Sequence, residues 1–153
     1  MPLACMGPGI ARRRVVDRPV GTIDLAATFL DFASDSSLHA WETSVSLRSL
    51  MSEEERRSTK PSQSGKTYTK RIVSSGLDNW RMVVENATNL KYICCHGKCP
   101  GVPQNAPAVN EKTGFQTIMY DTQADPFDMH PILNRTQDEA RLRGFLPESF
   151  GCK

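Results

Sequence analysis

The sequence predicts a mixed α/β chain, α+β in arrangement. A strand and a helix come first, followed by a small antiparallel sheet with a terminal helix. Three observations lead there. An apolar run, Pro2 to Met6, breaks at Gly7-Pro8-Gly9, crosses the basic Arg12-Arg13-Arg14 loop and enters a helical pattern near Thr22. From Thr67 onward the apolar period shifts toward two, the spacing of strands. A last helical pattern starts at Thr136 and stops at Gly144.

The first helix follows from Ile23, Ala26, Ala27, Leu30 and Ala33 at helical spacing, with Leu25, Phe29 and Phe32 in a second stripe. An apolar face that wide predicts a helix packed beneath other layers. Thr22 is placed to cap it, and Asp24 lies in the first turn, where the helix dipole favours an anion. Ser52 and Glu55 have the spacing of a capping box for a short charged turn. The polar segment RSTKPSQSGK, Arg57 to Lys66, predicts a flexible loop. The expected organisation is therefore 1–56, a loop over 57–66, and a β-rich portion over 67–153. Within the last portion Tyr68–Val73 reads as a charged edge strand. Trp80–Glu85 and Leu90–Cys95 read as a hairpin across Asn86–Asn89, and Phe115–Tyr120 as a further strand after a Pro/Gly loop. Asp78-Asn79 reads as a turn. Thr136 and Glu139 have capping-box spacing at the last helix.

Composition narrows the function classes. A length of 153 residues is long enough to bury a core, yet 39% hydrophobic residues with ten Pro and ten Gly predict much irregular structure. A net charge of +2, with scattered basic residues, argues against a nucleic-acid partner. No apolar run approaches the roughly 20 residues of a membrane helix. The three arginines follow the first apolar residues, the wrong order for a secretory leader.

Five cysteines, Cys5, Cys94, Cys95, Cys99 and Cys152, leave at least one without a partner in the chain. Cys94, Cys95, Cys99 and Cys152 are disulfide candidates, one of the first two joining one of the last two in an exported chain. Asn86 and Asn134 each open an Asn-x-Thr glycosylation pattern. The cluster Cys94-Cys95-His96-Gly97-Lys98-Cys99 also offers zinc donors, although a closed site requires a fourth ligand from elsewhere. Gln63–Thr67 imitates the end of a phosphate-binding loop but has Lys60 where the motif demands glycine. No phosphate site is assigned there.

Four stretches together resemble one family. PLACMGPGI with PVGTIDLAATFLDFA is similar to the sulfatase passage VPLIVRGPGI…PVSLVDLAPTLLDLAG, with Ala27 in place of the usual Pro and Ser34 in place of Gly. SVSLRSLM resembles GVSLRPLL. NLKYICCHG resembles the strand around YKYI. TIMYDTQADPFDMHPI resembles LYDLENDPGETTNLA, matching at Tyr120, Asp121, Asp125 and Pro126, with Asp128 shifted from the usual Glu and His130 near the usual Asn.

This resemblance to arylsulfatase-type members of the alkaline-phosphatase-like fold implies the C-terminal portion of a sulfuric ester hydrolase: the last core strand and helix, then the small antiparallel subdomain. It implies a sulfate-ester substrate, a secreted or lysosomal-type compartment, and catalysis by a formylglycine beside Ca²⁺ in the full-length enzyme. Neither the C-x-P-S-R source of formylglycine nor the Asp-Asp metal pair occurs in the chain. No catalytic or metal residue is therefore assigned, no cofactor is expected to bind, and the isolated chain is expected to be inactive and marginally stable. Because the family's small sheet flanks the cleft, His96 and Lys98 are the candidates for contact with an anionic substrate. The alternatives are a non-catalytic interaction module derived from the fold, a small zinc-binding protein built on CCHGKC, and a phosphatase or phosphodiesterase of the same superfamily.

Overall fold

The structure, a computed structural model, describes residues 3–33, 44–52 and 72–152. The chain divides into two compact units, Met1–Thr69 and Lys70–Lys153. The expected loop at 57–66, the phosphate-loop imitation, Tyr68 to Arg71 and the turn at 53–56 lie outside the described residues.

In the first unit, α1 (Ile23–Phe32) and the four-residue α2 (Arg48–Met51) are held together by polar groups. Asp24 is fully buried, and its carboxylate accepts the Gly21 N–H at 2.8 Å and the Val45 N–H at 3.0 Å. One turn on, the Thr28 hydroxyl donates to the Asp24 carbonyl at 2.6 Å and accepts the Leu47 N–H at 2.8 Å. Leu47 and Leu50 are buried beside this seam, with Val20, Leu25, Val45 and Met51 packed on them. At the rim, Arg48 pairs with Asp31 at 3.2 Å and lies over the Phe32 ring.

Three expectations for this unit are corrected. Thr22 occupies the N-cap position but its hydroxyl makes no capping bond, because Thr22 already has helical backbone angles; Asp24 takes the orphan amide of Gly21 instead. The face of α1 that is buried is Asp24, Ala27 and Thr28, whereas Ile23, Phe29 and Phe32 are exposed. The hydrogen bonds from residues 45 and 47 select that orientation, since a carboxylate bonded to two amides is costly to turn out. The core strand expected over Pro2–Met6 is not formed in residues 3–6. A strand requires a neighbour for its backbone groups, and the pairing here begins later, at the isolated bridge between Ile10 and Ser52 and the Ala11 N–H on the Met51 carbonyl.

The second unit is a four-stranded antiparallel sheet in sequential order, β1 (Ile72–Leu77), β2 (Trp80–Glu85), β3 (Leu90–His96) and β4 (Phe115–Asp121). It is followed by α3 (Thr136–Arg143) and a 3₁₀ turn, Glu148–Phe150. Asp78-Asn79 forms the two-residue turn between Leu77 and Trp80, with Asp78 at φ 48°. Asn86–Asn89 turns the next hairpin, with Asn89 at φ 56°. Asp and Asn tolerate this left-handed region better than other non-glycine residues.

Of the strand expected over Tyr68–Val73 only Ile72 and Val73 are described, and they open β1, which runs on to Leu77. Its residues Ser74, Ser75 and Gly76 carry no apolar alternation, and the ladder to β2 makes them a strand. The capping box expected at Thr136 is also absent. Arg135 holds the N-cap position, and the Glu139 carboxylate instead accepts the Thr117 hydroxyl and Arg143 at 3.0 and 2.9 Å.

Both faces of this sheet are covered, which the register explains. Val83, Tyr92 and Met119 lie across from one another on one face and pack with Leu90, Cys94, Leu142, Leu146 and Cys152. On the other face Ile93 and Ile118 are opposite each other, and Cys95, Tyr120 and Trp80 pack with Cys99, Val102 and Ala106 of the long loop. Helix α3 therefore serves one side and an irregular loop the other. A network of charge fastens the helix: Glu85, 8% exposed, bonds Arg141 at 2.5 Å and the Thr88 hydroxyl. The Arg141 hydrogen bond holds the Glu85 carboxyl below its usual value, against the opposing effect of burial.

Candidate functional site

Adjacent residues on a strand point to opposite faces, so Cys94 and Cys95 cannot share a partner. Cys94 is bonded to Cys152 beneath α3, and Cys95 to Cys99 beneath the loop. All four are buried, while Cys5, in the first unit, is exposed and free. The second disulfide closes a short loop around His96, Gly97 and Lys98. Gly97 turns it with φ 75°, and its N–H bonds the Gly114 carbonyl at 2.8 Å. Beneath it, the buried Gln116 side chain accepts the Cys99 N–H at 2.6 Å and donates to the Pro107 carbonyl.

The loop presents its two candidate residues to solvent. His96 and Lys98 are both exposed at this end of the sheet. The His96 ring stands edge-on to Phe115, centroids 5.3 Å apart and planes 88° apart. Phe115 meets Phe150 at 5.8 Å, and the Arg81 guanidinium lies 4.6 Å from the Phe150 centroid. The result is a row of three rings ending in a cation. Sequence reasoning named His96 and Lys98 but missed Arg81 and Phe150. The signal for Arg81 was its register with Cys94; nothing in the local sequence marked Phe150.

With His96, Lys98 and Arg81 on one end, the site can present positive charge and hydrogen-bond donors to an anion. The thiols offer no nucleophile, because they are oxidised. The same pairings leave His96 as the ordinary metal donor of CCHGKC. Among the described residues, no group of three or more His, Cys, Asp or Glu side chains gathers. The carboxylates of the DTQADPFD turn bond within the unit. Asp121 accepts the Gln123 and Ala124 amides at 2.9 Å, Asp125 accepts the His130 amide at 2.6 Å, and Asp128 pairs with Lys91. The His130 amide holds the Asp125 carboxyl below its usual value.

The glycosylation candidates differ in setting. Asn86 is half-buried in the β2–β3 turn, whereas Asn134 is exposed ahead of α3 with φ 65°. Among the described residues no helix is long and apolar enough to cross a membrane. No protein-family model, curated protein or solved structure matches the chain.

Proposed function

We propose that the chain is the C-terminal portion of a sulfuric ester hydrolase, carrying the sheet that borders an anionic-substrate cleft rather than the group that attacks sulfur. One observation carries the reading. The two C-terminal stretches that resemble sulfatases, NLKYICCHG and TIMYDTQADPFDMHPI, are β3 and β4 with its following turn, paired with Lys91 opposite Tyr120. Lys91 then reaches Asp128 in that same turn, so the two stretches form one unit. In this reading His96 and Lys98 attract the sulfate group, with Arg81 adding charge. A formylglycine and Ca²⁺ would supply the chemistry from outside this chain.

The test is an antibody against this chain used on the native source. The expected product is several-fold larger than 17 kDa and hydrolyses an aryl sulfate after immunoprecipitation, with a raised KM in His96→Ala and Lys98→Ala forms and an unchanged melting temperature in Lys98→Ala. A 17 kDa product without such activity would overturn the reading.

A second reading, a non-catalytic interaction module, is favoured by the two-sided core and two disulfides of the Lys70–Lys153 unit. It requires residues 70–153 to unfold cooperatively when expressed alone. A broad, non-cooperative transition would remove it.

A further inference from the structure

The two Asn-x-Thr patterns are not equivalent once folded, and we infer that Asn134 is an N-glycosylation site while Asn86 is not. Both disulfides favour passage through an oxidising compartment, where the modifying enzyme and its donor are found. At the first pattern, Asn86 is half-buried in a tight hairpin turn, and the Thr88 hydroxyl is held by the Glu85 carboxylate beneath it. That carboxylate also binds Arg141 of α3, so freeing the hydroxyl disturbs the contact between helix and sheet. At the second, Asn134, Arg135 and Thr136 are all exposed, and the pattern ends at the first residue of α3.

The surroundings of Asn134 give the sugar a place to lie. Asn134 lines a 290 Å³ cavity of mixed character, with Pro107, Ile132 and Leu133 beside the polar Thr117, Arg135 and Glu139. Leu133 is 59% exposed, an apolar side chain with no cover in this unit. The carbon-bound faces of a first N-acetylglucosamine suit such a lining, and its hydroxyls would remain in water. The glycan therefore covers this groove at the β4 side of the sheet, its ring faces on Leu133 and Ile132 and its hydroxyls within reach of the polar lining. In the transfer, the Asn134 side-chain nitrogen bonds the anomeric carbon of a polyprenyl-diphosphate-linked oligosaccharide. The bond from that carbon to the diphosphate oxygen breaks, the lipid diphosphate leaves, and an amide proton passes to a carboxylate of the transferase.

The experiment is expression of the full chain behind a cleavable leader in a eukaryotic cell, read on both the secreted and the retained pools. Glycans are released with an amidase that converts a modified Asn to Asp, and peptides are sequenced by mass spectrometry. The expected result is Asp at 134 and Asn at 86. The gel shift should vanish in Asn134→Gln and Thr136→Ala and persist in Asn86→Gln and Thr136→Ser. Asp at position 86, or Asn retained at 134, overturns the assignment. Enzymatic release should also raise the binding of an apolar dye, and unchanged dye binding overturns the covering role.

Discussion

Cys152 is bonded to Cys94 in the third strand of the sheet, across 58 residues of sequence. Cys95, the next residue, closes a separation of only 4 with Cys99. The longer closure removes more freedom from the unfolded chain. The loop-entropy relation gives about 4 kcal/mol for the first disulfide and about 2 kcal/mol for the second. Cys94→Ser with Cys152→Ser should therefore lower the denaturation midpoint about twice as far as Cys95→Ser with Cys99→Ser. Equal shifts in a urea series would show that native contacts, rather than loop closure, set the difference.

The Glu85–Arg141 pair should make the second unit acid-sensitive. The folded carboxyl titrates below its unfolded value, so its contribution is present above the usual glutamate range and is lost as pH falls through the folded value. The Arg141 side chain is 38% exposed, which places the cost of Glu85→Gln at about 1–2 kcal/mol, below that of a fully buried pair. Urea titrations should show this cost at neutral pH and its disappearance in strong acid. A constant difference between wild type and Glu85→Gln at every pH would contradict the linkage.

Two glycines of the second unit should respond differently to alanine. A Cβ on Gly76 would lie 2.6 Å from the Trp80 carbonyl oxygen and 2.4 Å from Arg81 Cδ. Arg81 can swing aside but the carbonyl cannot, so Gly76→Ala should cost about 1–3 kcal/mol and loosen the β1–β2 turn. Gly97 has open space around it but a φ of 75°, so Gly97→Ala should cost about 1–2 kcal/mol through backbone strain alone. Thermal melts rank the two, and amide exchange at β1 should accelerate in Gly76→Ala only.

Asp24 should be the most sensitive position of the first unit. Its carboxylate is fully buried and accepts amides from Gly21 and Val45. Asp24→Ala leaves both donors without it and should destabilise the α1–α2 contact by about 3 kcal/mol. Hydrogen exchange at Val45 and Leu47 reads this directly. Protection unchanged at both amides would mean that the segment is held by Leu47 and Leu50 instead.

What could be read from the sequence follows a physical division. Strands β2, β3 and β4 were legible because their own residues carry the pattern of the faces they bury, whereas helix α3, in which only Leu142 is buried, was marked by its Gly144 stop and not by an apolar stripe. The continuation of β1 past Val73 was hidden because Ser74-Ser75-Gly76 takes its conformation from the neighbouring strand. The orientation of α1 was hidden for a related reason. Apolar spacing pointed to Phe29 and Phe32, while the buried face is fixed by amides of residues 45 and 47, about twenty positions away. At the candidate site His96 and Lys98 announced themselves by sitting among cysteines. Arg81 and Phe150 reach the same end only through strand register and the 3₁₀ turn near Cys152.

The bond between Cys94 and Cys152 also decides how the second unit responds to mechanical load. Tension applied between Ile72 and Cys152 follows the covalent route from Cys94 straight into Cys152. Strand β4, the long loop and α3 hang outside that route and bear none of the force. Only β1, β2 and the start of β3 can be peeled away, one hairpin after another. A pulling experiment should thus record a short extension that lengthens abruptly once a reductant is added.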